Sequence, residues 1–297
     1  MEGHEPETVI EVAGLSRRFG RKEALRDVTL RVSRGQVFGL VGENGAGKTT
    51  LMQHVLGAYK AQAGTVQVFG IDPVYDPTAV LSRIGYLSED RDLPGWMRVN
   101  ELMRYTQAFY PNWDPAFAER LRVEFELPEN GKVKTLSRGE KAKAGLLIAL
   151  AHRPDLLLLD EPSSGLDPIA RQDILAAVVR TVAEEGRTVV FSSHLLDEVE
   201  RVADHVGMIH EGRVTLDMPL DEIKATHCKY VVRWPEPPSE RPNLPGMIHA
   251  VGEGREWGLL CDGDAEAFAE AVHAAGGEIV ESSVPTLEAV FVARASA

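Results

Sequence analysis

The chain has 297 residues, 44% of them hydrophobic, and a formal charge of −13 from 45 acidic against 32 basic side chains. That charge disfavours non-specific binding to nucleic acid or to anionic lipid. No apolar run approaches the roughly 18 residues of a membrane span, and the only two cysteines, Cys228 and Cys261, lack the spacing of a zinc site.

In chain order, the acidic start Met1-Glu2-Gly3-His4-Glu5-Pro6-Glu7 has neither the basic nor the apolar part of a signal peptide, and the expected compartment is a reducing cytoplasm. Residues 9–12 and 24–32 read as strands, the second alternating through Leu25, Val28, Leu30 and Val32, and 64–69 adds a third. An antiparallel sheet is the expectation. The basic group Arg17, Arg18, Arg21 and Lys22 between the first two strands reads as a solvated turn or a rim near phosphates.

Residues 36–41 form a short apolar strand, and 49–58 a helix with Leu51, Met52, Val55 and Leu56 facing inward. The run Gly42-Glu43-Asn44-Gly45-Ala46-Gly47-Lys48-Thr49-Thr50 joins them and fits G-x-x-x-x-G-K-[ST]. Its glycines let backbone N–H groups converge on an anion, and the helix N-terminus adds partial positive charge. Lys48 is expected to reach the β- and γ-phosphates of a nucleotide, with the Thr49 hydroxyl on Mg²⁺.

After Arg91 the pattern turns helical. Val99, Leu102, Met103, Thr106, Phe109 and Tyr110 recur at intervals of three and four before Pro111-Asn112-Trp113-Asp114 interrupts. Asp114 as N-cap with Pro115 behind it starts another helix through Phe117, Leu121 and Phe125. Ser137 and Glu140 make a capping box for a helix through Leu146, Leu147 and Leu150.

Four leucines, 156–159, then form a buried strand that runs into Asp160 and Glu161. The tip of such a strand is where α/β sheets bind ligands. Asp160 is expected to support Mg²⁺ through water and Glu161 to orient or deprotonate the attacking water. A helix over 170–184, a strand over 188–192 and a helix over 195–203 continue an α/β pattern with a parallel sheet. The proline-rich stretch 234–246 reads as an extended connector, followed by strands at 247–251 and 257–261, a helix at 265–275, a strand at 278–282 and a short helix from Thr286.

Leu136-Ser137-Arg138-Gly139-Glu140 resembles the L-S-G-G-Q signature of ABC transporter ATPases, and it stands just ahead of the Asp160-Glu161 strand, as in that family. Phe19 resembles the aromatic that stacks on adenine, 42–50 the Walker A loop, and Glu89 sits at the Q-loop position. Ser163-Ser164-Gly165-Leu166-Asp167 resembles the D-loop, and His194 in Ser192-Ser193-His194 the switch histidine that contacts the γ-phosphate.

The resemblance implies a P-loop NTPase of the ABC ATPase type: a RecA-like parallel sheet core, an antiparallel β subdomain and a helical insertion over about 92–152, with a small α+β domain from 228 to 297 after the ATPase domain of 1–227. It implies ATP and Mg²⁺ as ligands, with Phe19, the loop residues from Gly42 to Thr50, Ser137, Gly139 and Asp167 around the nucleotide. Thr49, Glu89 and Asp160 would face the metal, and Glu161, His194, Lys48 and Glu89 would serve hydrolysis. Two such subunits, identical or not, pair head to tail so that Ser137 and Gly139 of one meet the γ-phosphate held by Lys48 of the other, and Asp167 belongs to the contact between them. Their partners are separate transmembrane permease subunits, which places the chain peripherally on the cytoplasmic face of the cell membrane and leaves no role for nucleic acid.

Arg138, Glu140 and Glu89 depart from the glycine, glutamine and glutamine usual at their positions. The segment Val284-Pro285-Thr286-Leu287-Glu288-Ala289-Val290-Phe291 resembles the P-S-L-E-D-V-F ending of exporter ATPases of the drug, lipid and antibiotic type. The alternative is a soluble ABC ATPase acting on ribosomes or DNA, but the chain has neither two fused ATPase halves nor a long coiled coil. A phosphate-loop kinase would need neither a signature segment nor a switch histidine.

Overall fold

The computed structural model describes residues 7–295, with the backbone alone across 181–185; the start read above for a targeting signal, residues 1–6, lies outside them. β1 (Thr8–Phe19) and β2 (Lys22–Ser33) form a long antiparallel hairpin. Val12, Leu15, Val28, Leu30 and Val32 alternate into a core, as the period of two in the sequence requires. β3 (Val37–Val41) is buried throughout, the glycine-rich loop follows, and α1 (Lys48–Val55) buries Leu51, Met52 and Val55. β4 (Ala63–Val68) completes a three-stranded sheet of order β2-β1-β4.

α2 (Pro77–Leu81) starts at Asp76, whose carboxylate accepts the Ala79 N–H at 3.0 Å, and leads into β5 (Ile84–Leu87). The helical region holds α3 (Val99–Gln107), α4 (Pro115–Glu124) and α5 (Arg138–Leu150). Asp114 caps α4 by accepting the Phe117 N–H at 2.9 Å, with Pro115 at the first helical position. α3 stops at Gln107, so Phe109 falls beyond it and is 64% exposed instead of facing inward.

β6 (Leu156–Leu159), α6 (Pro168–Glu185), β7 (Thr188–Ser193), α7 (Leu196–Val202), β8 (His205–His210) and β9 (Arg213–Pro219) follow. The second sheet has the order β5-β6-β7-β3-β8-β9, with parallel pairing from β5 through β8. All four leucines of β6 are fully buried, as expected for a strand covered on both faces. The order places β3 between β7 and β8, so the loop after β3 emerges at the same carboxyl edge as the ends of β6 and β7.

The chain divides into two compact units between Val214 and Thr215, within β9 and ahead of the compositional change near Cys228. The compositional signal comes from the prolines of 234–246, whereas α8 (Leu220–Thr226) already belongs with β10 (His227–Arg233): the Ile223 carbonyl accepts from the His227 ring at 3.0 Å. β11 (Met247–Glu253), β12 (Glu256–Asp262), α9 (Ala265–Ala274), β13 (Glu278–Ser283) and α10 (Leu287–Ala295) complete this second unit. Its sheet has the order β11-β12-β10-β13 and packs Tyr230, Val232, Leu259, Phe268 and Val272 into a core of its own. No helix among the described residues is long and apolar enough to cross a membrane.

Candidate nucleotide-binding site

Glycine is required at two places in the loop. Gly47 caps α1 at φ +119°, and a Cβ there would meet the Ala24 carbonyl at 2.6 Å. At Gly42 a Cβ would lie 2.3 Å from the Ile209 carbonyl, so the loop leaves the sheet against the end of β8. The loop opens onto a cavity of about 390 Å³ whose walls include Phe19, Glu43, Asn44, Gly45, Gly47, Lys48, Thr49, Thr50, Glu89 and Glu161. Gly42 and Ala46 are buried in the loop's base. Phe19, at 40% exposure, is free of the core and turns a ring edge to Tyr59, while the Arg17 guanidinium lies 4.6 Å from its centroid.

Lys48 is buried and does not point freely into the cavity. Its ammonium donates to the Gly42 carbonyl at 2.5 Å and stands 2.9 Å from Glu161 Oε1. The second oxygen of Glu161 accepts the Nδ1–H of His194 at 2.7 Å. A cation, a carboxylate and an imidazole thus form one chain across the ends of α1, β6 and β7. Glu161 adopts φ +48°, an unusual backbone for a side chain of that size.

Asp160 lies under this chain. One oxygen accepts the Ser192 hydroxyl at 2.7 Å, and the Ser192 oxygen accepts the Glu161 N–H at 2.9 Å. The other Asp160 oxygen is buried with no hydrogen-bond partner among the described residues. Glu89 faces the same acids across the cavity. Desolvation first, then the Glu161 and Asp160 carboxylates, hold its carboxyl above the usual range. An orphaned buried oxygen and a third carboxylate pressed by two others fit a divalent cation, although no group of three acidic, histidine or cysteine side chains among the described residues closes into a cage. That is the pattern for Mg²⁺, which is held by one or two carboxylates with water and phosphate supplying the rest.

Ser137, Gly139 and Asp167 are not among the walls of this cavity. Ser137 caps α5 and is exposed: its oxygen accepts the Glu140 N–H at 3.2 Å and Glu140 accepts the Ser137 N–H at 2.7 Å. A Cβ on Gly139 would meet Ala170 at 2.9 Å, with the Asp167 carboxylate 3.9 Å away, so signature and D-loop residues form a second group. Arg138 reaches into that group, because a Cβ on Gly165 would touch its guanidinium at 3.0 Å.

Sequence reasoning missed several neighbours. Lys22 and Ala24 line the cavity, and the basic turn read as a possible phosphate rim was the one signal for Lys22. Arg91 donates to the Pro162 and Ser164 carbonyls at 3.0 and 2.8 Å, fastening the segment after Glu89 to the segment after Glu161. Glu198 is buried at 1% exposure, accepts the Ser163 hydroxyl at 2.5 Å and pairs with Arg171 at 3.1 Å. No motif announces either contact.

A glycine-rich loop between a buried strand and a helix, with its lysine poised at an acid pair on the tip of another strand of the same sheet, defines a P-loop nucleoside triphosphatase. Residues 25–164 match the ABC transporter family. The chain is 33% identical to the ABC transporter ATP-binding protein YtrB of Bacillus subtilis (strain 168), over 74% of this chain and 75% of that one. It is 34% identical to the bacitracin transport ATP-binding protein BcrA of Bacillus licheniformis, over 75% and 74%. Among solved structures, an ATP-binding subunit of an ABC transporter superposes with a TM-score of 0.67 at 31% identity, covering 73% of this chain and 92% of that one. The chain belongs to the ATP-binding proteins of the ABC transporter family, and it is an ATPase.

Proposed function

We propose that the chain powers an ABC exporter: it pairs with a second ATPase subunit around two ATP molecules, and the pair drives separate transmembrane permease subunits from the cytoplasmic face of the membrane. The observation that carries the pairing is the make-up of the cavity, which holds Lys48, Thr49, Glu89 and Glu161 but neither Ser137 nor Gly139. The exposed start of α5 offers N–H groups beyond the two that its capping box satisfies, and these suit a phosphate bound on another subunit. Asp167, beside Gly139, lies at that contact.

Each side chain then has a task. Phe19 stacks on the adenine, the loop from Gly42 to Thr50 wraps the phosphates and Lys48 neutralises them. Glu161 takes a proton from the attacking water while His194 fixes the orientation of its carboxylate and meets the γ-phosphate. Thr49, Glu89 and Asp160 would hold Mg²⁺, directly or through water, and the ion would supply charge neutralisation at the phosphates. Preferential binding of ATP over ADP to the closed pair converts hydrolysis into movement of the permease.

Export is supported by the 284–291 ending and by BcrA, named for bacitracin transport. Action on ribosomes or DNA finds no support in the relatives. The segments flanking α3, with Trp96 before it and Phe109 after it exposed at 73% and 64%, offer with the Glu89 loop a surface for the permease. No described residue of the second unit lines the nucleotide cavity.

Purified chain should hydrolyse ATP with Mg²⁺, and the Glu161→Gln variant should elute as an ATP-bound dimer. A variant that binds ATP yet stays strictly monomeric sinks the shared site. Copurification of membrane proteins with the tagged chain identifies the permease, whereas recovery of ribosomal proteins would favour the alternative.

A further inference from the structure

Cys228 in β10 and Cys261 in β12 are directly opposed partners of one antiparallel ladder. Opposed residues send their side chains to the same face, and here that face is the core of the second unit. Cys261 is 1% exposed, whereas Cys228 is half-buried at the margin of the same cluster. Opposed Cα atoms in such a ladder lie about 4.5–5.5 Å apart, within the window of about 4.4–6.8 Å that a disulfide spans. Both thiols are free, and Cys228 S–H donates weakly to the Ser283 carbonyl at 3.6 Å. Burial chiefly pushes the Cys261 thiol up, with a hydrogen bond from the Cys228 backbone opposing it and the Cys228 sulfur adding to it.

We propose that Cys228 and Cys261 form a reversible dithiol site whose substrate is a low-molecular-weight disulfide. The half-buried sulfur reacts first, since Cys261 does not meet solvent. The Cys228 thiolate attacks one sulfur of the small disulfide, forming a mixed disulfide and expelling one thiolate. That thiolate takes the Cys261 proton; Cys261 then attacks the Cys228 sulfur, closing the protein disulfide and expelling a second thiolate, which solvent protonates. The protein loses two electrons and the small disulfide becomes two thiols. The resolving sulfur already stands opposite in the ladder, so the mixed disulfide does not accumulate. The product ties the first strand of the sheet to β12 and closes a covalent loop around the proline-rich 234–246 segment.

The test uses the full-length reduced protein and oxidised glutathione. Intact mass should fall by two hydrogens with no glutathione adduct, a peptide map should link Cys228 to Cys261, and the two titratable thiols should vanish and return with dithiothreitol. In Cys261→Ser the reaction should stop at a glutathione adduct on Cys228; should that variant fail to fold, the wild-type mass and peptide map decide alone. Wild type that keeps both thiols, stops at the adduct, or links Cys228 between two chains overturns the proposal.

Discussion

His194 donates its Nδ1–H to Glu161 at 2.7 Å, joining the residue after β7 to the acid after β6. The histidine side chain is 37% exposed, so the fold does not depend on it. His194→Ala should cut kcat by roughly 10²–10⁴, the range for a group that serves acid–base chemistry, with little change in KM for ATP. Steady-state kinetics checks this, and a melting temperature within a few degrees of wild type separates it from misfolding.

Lys48 and Glu161 are each about 5% exposed or less as side chains and have one another as counter-charge. Lys48→Met leaves the Glu161 carboxylate buried against His194 alone. Removing one member of a buried pair costs about 3–5 kcal/mol. Urea unfolding should show a loss of that order, and the double variant Lys48→Met/Glu161→Gln should recover most of it. A double variant as unstable as the single one would mean that the pair is not the cause.

Arg91 holds the Pro162 and Ser164 carbonyls and so sets the spacing between the Glu89 loop and the acid pair. Arg91→Ala should leave ATP affinity within about threefold and lower kcat by about tenfold or more, because small misplacements of reacting groups are costly. Nucleotide titration beside turnover measurements separates the two effects.

Burial pushes the Glu198 carboxyl up, and the Ser163 hydroxyl and Arg171 only partly oppose it. The folded state then binds a proton more readily than the unfolded chain, whose carboxylate titrates near about 4.3. Stability from this group is full below the unfolded value and is lost as pH rises through the raised one. Between about pH 4 and pH 7, wild type should therefore lose stability relative to Glu198→Gln. Urea midpoints of the two proteins that run parallel across that range would refute it.

Lys22 reaches the cavity near Gly45 from the start of β2. It is an exposed cation, so its attraction for phosphate is screened by solvent. Lys22→Ala should raise KM for ATP by less than about tenfold with kcat unchanged, and the difference should shrink as salt is raised.

The glycine-rich loop, the four-leucine strand and the Asp114 and Ser137 caps were legible because each is a local pattern with a local cause: a turn that only glycine makes, an unbroken apolar run, an oxygen placed to accept an N–H. The elements not read were α2, β5, β8, β9, α8 and β10. β5 is four residues long and begins with Ile84-Gly85, too short for periodicity, and its identity as a strand comes from pairing with β6. Arg91 and Glu198 were invisible for a related reason: their partners lie on other elements, and only folding brings Arg91 to the Ser164 carbonyl, whereas Lys22 was legible only as part of a basic turn that could rim the phosphates. Phe109 was misjudged because its spacing continued a helix that ends at Gln107.

The ion pair between Lys48 and Glu161 sets a condition on when the enzyme can work. On the roles proposed for them, the ammonium that meets the triphosphate is also the one paired with the carboxylate at 2.9 Å, so an arriving phosphate competes with Glu161 for Lys48. With those proposed roles, the pair would act as an interlock, tying readiness for hydrolysis to the presence of the nucleotide to be hydrolysed.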